Sequence, residues 1–197
     1  MDILKRAKEV IESERNGLEL AGAAINDNYL AIIKTIENCQ GKVVFTGVGK
    51  SGHIGKKLAA TFASLGTCAI FVHSTESLHG DLGMVQPEDV VVMMSNSGET
   101  QEILAMIEPL KKIGCKKVAF TSKEHSTLAK NCEELLAYQL EREADTLNLA
   151  PTTSAVIMLA IGDSIGVTLS EMKQFSSQDF YLYHPGGSLG KKLQTKG

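Results

Sequence analysis

Cysteine is scarce in this sequence and never paired. Cys39, Cys68, Cys115 and Cys132 are the only four in 197 residues, with neither CxxC spacing nor the density of a disulfide-bonded secreted scaffold. They read as reduced, mostly buried thiols of a cytoplasmic protein. A surplus of charge is also missing. The 20 Lys and Arg against 23 Asp and Glu leave a net charge of −3, which gives nucleic acid and anionic membranes no electrostatic reason to bind. The first fourteen residues are charged throughout and lack the apolar core of a signal peptide. Long apolar runs are absent too. The richest, Ala155 to Leu169, is interrupted by Gly162, Asp163 and Gly166 and reads as too short to span a bilayer. No linker, repeat or low-complexity tract divides the chain. What is present is ordinary for a globular protein: 43% hydrophobic and 22% charged residues, in a chain long enough to bury roughly 70% of its unfolded surface.

The apolar residues then alternate between two periods. Residues 3 to 38 carry helical spacing, with Ile3, Ala7, Val10 and Ile11 on one face and Tyr29, Ile32, Ile33 and Ile36 on a later one. Strands are expected at 43–46, 68–72, 90–94, 117–121 and 135–139, and helices at 52–65, 101–112 and 151–173, with a short one near 125–130. Such alternation predicts an α/β fold: a three-layer α/β/α sandwich around a five-stranded parallel sheet, preceded by an N-terminal helical pair. The domain organisation expected is residues 1–40 as helices packing on the domain or on a partner subunit and 41–197 as the catalytic domain, one structural domain overall. Ligands of such sheets bind beyond the carboxyl ends of the strands. Residues 47–52, 73–79, 95–100 and 141–145 are therefore expected to converge.

Ser95-Asn-Ser-Gly-Glu-Thr100 is the most informative stretch. It follows the run Val90–Met94 and precedes a helical pattern, so three hydroxyls crowd a helix start where free N–H groups and the helix dipole attract an anion. An ordinary N-cap needs only one hydroxyl. Gly47-Val-Gly-Lys-Ser-Gly52 is less simple. A P-loop needs a further Gly where Val44 stands, and a dinucleotide fold wants an acidic residue at the end of the next strand, which here reads Val72-His73-Ser74. A tight βα turn without a ligand leaves Lys50 unexplained.

Together with Glu76-Ser-Leu-His-Gly-Asp-Leu-Gly-Met84, Leu149-Ala-Pro-Thr-Thr-Ser154 and His184-Pro-Gly-Gly-Ser-Leu-Gly190, these segments resemble the sugar isomerase (SIS) domain family, which has a flavodoxin-like sheet. Within it they resemble the branch acting on arabinose 5-phosphate, as a single-domain form without the pair of CBS modules such relatives carry. The resemblance implies interconversion of D-arabinose 5-phosphate and D-ribulose 5-phosphate through an enediol, in the route to the lipopolysaccharide sugar Kdo. It implies no required cofactor and a homotetramer that shares its active sites.

That reaction needs a carboxylate close to carbon and groups that polarise the carbonyl and shuttle protons between O1 and O2. The resemblance implies that Lys50, Glu102, Glu143 and His184 are catalytically important. Glu76 and His79 lie in a Glu-x-x-His-Gly pattern that also resembles the isomerase domain of glucosamine-6-phosphate synthase, where the Glu is the base. The residues themselves leave alternatives open. Lys50 serves an enediolate, a phosphate oxygen or only solvent. Glu102 sits where a carboxylate favours the helix dipole anyway, and Glu143 lies in a charge cluster with Glu141, Arg142 and Asp145. His79 and His184 suit ring opening or proton shuttling. Ser51, Ser95, Ser97, Thr100 and His73 are the expected substrate contacts, and His73 is also offered as a ligand to a divalent metal. His53 is expected as a helix cap, His125 as a surface or capping residue, and the Thr152, Thr153 and Ser154 hydroxyls as contacts for sugar or phosphate. Phe180, Tyr181 and Tyr183 need burial, which points to an oligomer in which His184 reaches a neighbouring pocket. Two further expectations stand beside the isomerase: a non-catalytic phosphosugar-binding regulator and an isomerase of another sugar phosphate. Kdo or its activated nucleotide is a candidate inhibitor.

Overall fold

Runs of β-branched and apolar residues pair side by side as parallel strands in the computed structural model, which describes residues 1–185. They are β1 (Val43–Gly47), β2 (Ala69–His73), β3 (Val90–Met94), β4 (Lys116–Thr121) and β5 (Glu134–Ala137), in the order β2-β1-β3-β4-β5. Alternate residues face opposite layers. Val44, Val72, Val91, Met93 and Ala119 pack beneath one core, and Val43, Phe45, Val92, Val118, Phe120 and Leu136 beneath the other. Burial on both faces explains why the strands read as unbroken apolar runs. The first layer is closed by α5 (Gln101–Leu104), α6 (Ile107–Ile113) and α7 (Thr127–Lys130), and the second by α2 (Asp27–Glu37), α3 (Gly49–Ser64) and α8 (Thr153–Met172). The expected α/β sandwich is the observed fold.

Glycine sets how closely α3 and α8 approach. A Cβ on Gly162 would stand 2.4 Å from Leu58 Cδ1, and one on Gly166 3.0 Å from the Phe62 ring. Lys57 and Asp163 pair alongside at 2.5 Å. The contacts 58–162 and 62–166 climb together, with 57–163 beside the first, so the two helices run in the same direction and both begin at the carboxyl edge of the sheet. With 20 residues and a mean hydropathy of 1.5, α8 is long and apolar enough to cross a membrane by length and composition, contrary to the shorter run read from the sequence. Here its Ile157, Met158, Ile161, Ile165 and Leu169 are buried in the core.

Two other expectations, one helix over 101–112 and mostly buried thiols, are corrected, and the terminal helices add detail. The expected apolar face of α1 (Ile3–Ala21) points outward rather than onto the domain, the second of the two placements expected for it, with Ile3 73% and Ile11 66% exposed. The helix instead buries Gly17 and Ala21 and crosses α8 where Gly17 meets Thr153. The single helix expected over 101–112 breaks at Ala105–Met106 into α5 and α6. Pro109 is the cause: it has no N–H to offer Ala105, and its ring would strike that carbonyl in a continuous helix. The segment after α8 forms a further helix, α9 (Ser177–Tyr183), started by a capping box between Ser176 and Asp179. Of the four free thiols only Cys115 is buried outright, and Cys68 is exposed at the start of β2.

Candidate active site

Strand register lines up the loops. Gly47 pairs with His73 on one side and Met94 on the other, so residues 48–53, 74–79 and 95–100 leave the sheet next to each other. The strand order reverses between β1 and β3, which is where open α/β sheets bind ligands. The glycines of the first loop are required by close approach. A Cβ on Gly52 would lie 2.9 Å from the Gly47 carbonyl oxygen, and Gly49 has φ +57°. Helix α3 starts at Gly49, so His53 lies inside it, exposed, and does not cap it.

The hydroxyl loop is pre-shaped. Ser95 Oγ lies 2.8 Å from Thr100 Oγ1 and 3.5 Å from Ser97 Oγ, and it accepts the Gly98 N–H at 3.0 Å. Gly98 holds φ +65° and abuts Ser126. Glu99 is spent on bracing: it accepts the Thr127 N–H at 2.7 Å, and this bond holds its carboxyl below the usual range. Three residues that sequence reading missed tie the loop down. Tyr138 donates to Asn96 Oδ1 at 2.7 Å, and the Asn96 carbonyl accepts from Thr121 Oγ1 and from Ser122. Burial pushes the Tyr138 phenol far up, so it is a neutral donor. Tyr138 lies 42 residues away in sequence, and no local pattern links it to the loop.

Helices α3, α5 and α8 all begin at this edge, but their ends differ. Neither Val48 nor Thr100 makes a side-chain cap bond, so α3 and α5 present uncapped N-termini flanking the β1–β3 crevice. The start of α8 is filled from within. Glu143, only 5% exposed, accepts the Thr152 N–H at 2.8 Å and the Ser154 N–H at 3.1 Å. It also accepts the Thr152 and Ser154 hydroxyls. Glu143 is thus no part of a solvated charge cluster, and those two hydroxyls are engaged with it. Of these three helix starts, those of α3 and α5 keep open N–H donors of the kind an anion can use.

The remaining candidates sort by position. Lys50 is exposed in the first turn of α3, Ser51 half-buried beside it. Glu76 lies in α4 (Ser74–Ser77), which packs against α5, where Glu102 is half-buried. Glu76 and His79 are exposed, and the His79 N–H bonds to the Glu76 carbonyl at 2.9 Å. His73 Nδ1 accepts the Thr75 N–H at 3.3 Å. In the neutral ring this leaves the hydrogen on Nε2, a donor for a substrate oxygen rather than a lone pair for a metal. Among the described residues no three His, Cys, Asp or Glu side chains are grouped to hold a metal ion.

His184 is elsewhere. Its Nε2 lies 2.9 Å from Ser64 Oγ, its Nδ1 2.8 Å from the Phe180 carbonyl oxygen, and its ring stacks on Phe180. Ser64 ends α3 and Lys50 begins it, which separates the two by about 21 Å at the helical rise of ~1.5 Å per residue. The chain's own fold does not bring His184 to Lys50. The part of its motif from Gly186 to Gly190 lies outside the described residues.

Residues 36–167 match the SIS domain family. The chain is 46% identical over 192 residues to the arabinose 5-phosphate isomerase KdsD of Salmonella typhi, covering 98% of this chain and 58% of that protein. It is 42% identical over 195 residues to the arabinose 5-phosphate isomerase KpsF of Escherichia coli, covering 95% and 62%. It therefore spans about three fifths of the curated relatives it matches. A structure from Escherichia coli CFT073 in complex with arabinose 5-phosphate superposes with a TM-score of 0.91 at 48% identity, covering 93% of this chain and 98% of that one. Sheet order, cradle and these matches agree: the chain belongs to the SIS domain family.

Proposed function

We propose that this chain interconverts D-arabinose 5-phosphate and D-ribulose 5-phosphate. The observation that carries the reading is the uncapped pair of helix starts at the β1–β3 crevice, flanked by Lys50, Glu76 and Glu102, in a chain 48% identical to a protein solved with arabinose 5-phosphate. Ser95, Ser97, Thr100, Ser51 and the free N–H groups hold the phosphate, and His73 donates to a sugar oxygen. Once the sugar ring is open, a carboxylate removes the C2 proton. The electron pair moves into a C1–C2 double bond, and charge develops on O1 within reach of the Lys50 ammonium. Transfer of a proton from O2 to O1 and return of the abstracted proton to C1 completes the ketose. Glu76 and Glu102 are the carboxylates with access to the crevice, and His79 suits ring opening.

The same reading assigns the fourth group to another subunit. His184 sits at the far end of α3, and exposed apolar residues on α1 and α9, among them Leu4, Ile11 and Leu182, call for a cover. We therefore read the protein as a homotetramer in which His184 completes a neighbour's pocket. The relatives' names fit a role in making the Kdo precursor; we further read the protein as cytoplasmic, with Kdo or its activated nucleotide as a competing anion at the cradle. Steady-state assay against pentose, hexose and heptose phosphates tests the proposal. Turnover is expected on arabinose 5-phosphate above all others. Binding without turnover of any sugar phosphate would make the chain a sensor instead.

A further inference from the structure

A general base must reach the proton it removes, with an unengaged lone pair within about 3 Å of it. The buried carboxylate of Glu143 is the least able to do so. Its Oε2 accepts three hydrogen bonds, from the Thr152 N–H, the Thr152 hydroxyl and the Ser154 N–H, and its Oε1 accepts the Ser154 hydroxyl. Oε2 is fully taken up by its three donors, and Oε1 is drawn onto the Ser154 hydroxyl. Two of the four donors belong to Thr152, the N-cap of the 20-residue α8, and two to Ser154 in its first turn. The surrounding loop is equally committed. The Glu143 N–H bonds to Asn148 Oδ1 at 2.6 Å, Asp145 accepts the N–H groups of Leu147, Leu149 and Ala150, and Arg6 of α1 holds the Ala144 carbonyl.

We propose that Glu143 is a positioning residue and not the base. Its carboxylate is a built-in anion that occupies the N-terminus of α8. It satisfies the dipole and free donors there and leaves the neighbouring starts of α3 and α5 as the anion site. It also pins the 141–152 connection to a helix whose first turn lies level with Lys50, since α3 and α8 run together from this edge. The proton is then abstracted by Glu76 or Glu102. This inference rests on the isomerase reading.

Glutamine separates the two roles. In Glu143→Gln the amide oxygen can take the three bonds of Oε2, while the NH2 group donates to Ser154 Oγ in place of Oε1. The variant should keep the melting temperature, kcat and exchange of the C2 proton with deuterated solvent near wild-type values. Glu143→Ala strands four donors and should lower the melting temperature by at least about 5 °C. It should also cut kcat/KM on the order of 10–10²-fold through misplacement of the crevice wall. A Thr152→Val/Ser154→Ala double variant keeps the carboxylate but weakens the cap, and should follow Ala rather than Gln. A stably folded Glu143→Gln that loses kcat by roughly 10²-fold or more, as a missing base would, overturns the proposal. So does a double variant with wild-type stability and turnover, which also decides the matter should Glu143→Gln melt early. Failure of the isomerase reading looks different: the wild-type chain itself turns over no sugar phosphate, while the melting order of the variants still reports on the cap.

Discussion

Gly98→Ala is the sharpest perturbation of the proposed phosphate cradle, because its cost follows from two separate observations. Gly98 has φ +65°, where an L side chain costs roughly 1–2 kcal/mol. The added methyl would also stand 2.2 Å from Ser126 Oγ, 2.4 Å from Ser126 Cβ and 3.1 Å from Thr121 Oγ1. Ser126 cannot simply turn aside, since its hydroxyl caps α7 by accepting the Ala129 N–H, and the Gly98 carbonyl accepts the Leu128 N–H. Overpacking of this kind costs about 1–3 kcal/mol, so the sum is about 2–5 kcal/mol. At about 2–4 °C per kcal/mol for a chain of this size, the melting temperature should fall by roughly 4–20 °C. The displaced loop carries Ser95, Ser97 and Thr100, so KM for the sugar phosphate should rise about tenfold or more, since each factor of ten needs only ~1.4 kcal/mol of lost binding. Gly114→Ala is the control. It also has positive φ, at +89°, but nothing lies within 4 Å of the new methyl, so it should cost a little stability and leave KM alone. The two are compared by thermal unfolding and steady-state kinetics. If Gly98→Ala matches Gly114→Ala in both, the cradle is not the rigid element described.

Ser97→Ala and Thr100→Ala should raise KM more than they lower kcat, at about 1.5–3 kcal/mol for each donor lost to a charged group; unchanged KM in both would remove the phosphate assignment. Mixing inactive His184→Ala with inactive Lys50→Ala should restore turnover through hybrid sites, whereas a histidine serving its own pocket leaves every site with a lesion. Asp89 supplies a pH dependence. Burial pushes its carboxyl up, but Lys42 Nζ at 2.7 Å and the N–H groups of Gln86 and Lys42, each at 2.8 Å, outweigh that and hold it low. Its stabilisation is therefore full above the unfolded value of about 3.9 and lost as pH falls through the lower folded value. In urea melts Asp89→Asn should be the less stable protein at neutral pH, with the gap closing below about pH 4; a gap constant with pH would contradict the ion pair's role.

Strands were the most legible part of the sequence, since burial on both faces writes each of them as a compact run such as Val90–Met94, whose bounds the structure reproduces. Helix ends were less so. Pro109 and the Ser176/Asp179 pair both carried usable signals, for the α5–α6 break and for α9, but neither interrupts hydrophobic periodicity. The facing of α1 was left open between the domain and a partner subunit, because an apolar stripe does not say whether it meets its own domain or another molecule. At the site, the register of Gly47, His73 and Met94 follows from the topology, so the loops after β1, β2 and β3 leave the sheet side by side, three of the four that were expected together. What sequence alone did not separate was engagement from availability. Glu143, Glu102 and Glu76 are alike as letters, and only the fold distinguishes a carboxylate bonded four times to a helix start from two that border a crevice. The position of His184 at the far end of α3 is likewise a property of the folded chain.

The central claim is that the crevice between β1 and β3 moves a proton between the first two carbons of arabinose 5-phosphate. Proton NMR of arabinose 5-phosphate incubated with the wild-type protein in deuterated solvent tests it directly. The expected result is appearance of ribulose 5-phosphate with loss of the C2 proton signal, both abolished in Lys50→Ala while that variant still folds. Substrate that binds but keeps its C2 proton and is never converted would contradict the account.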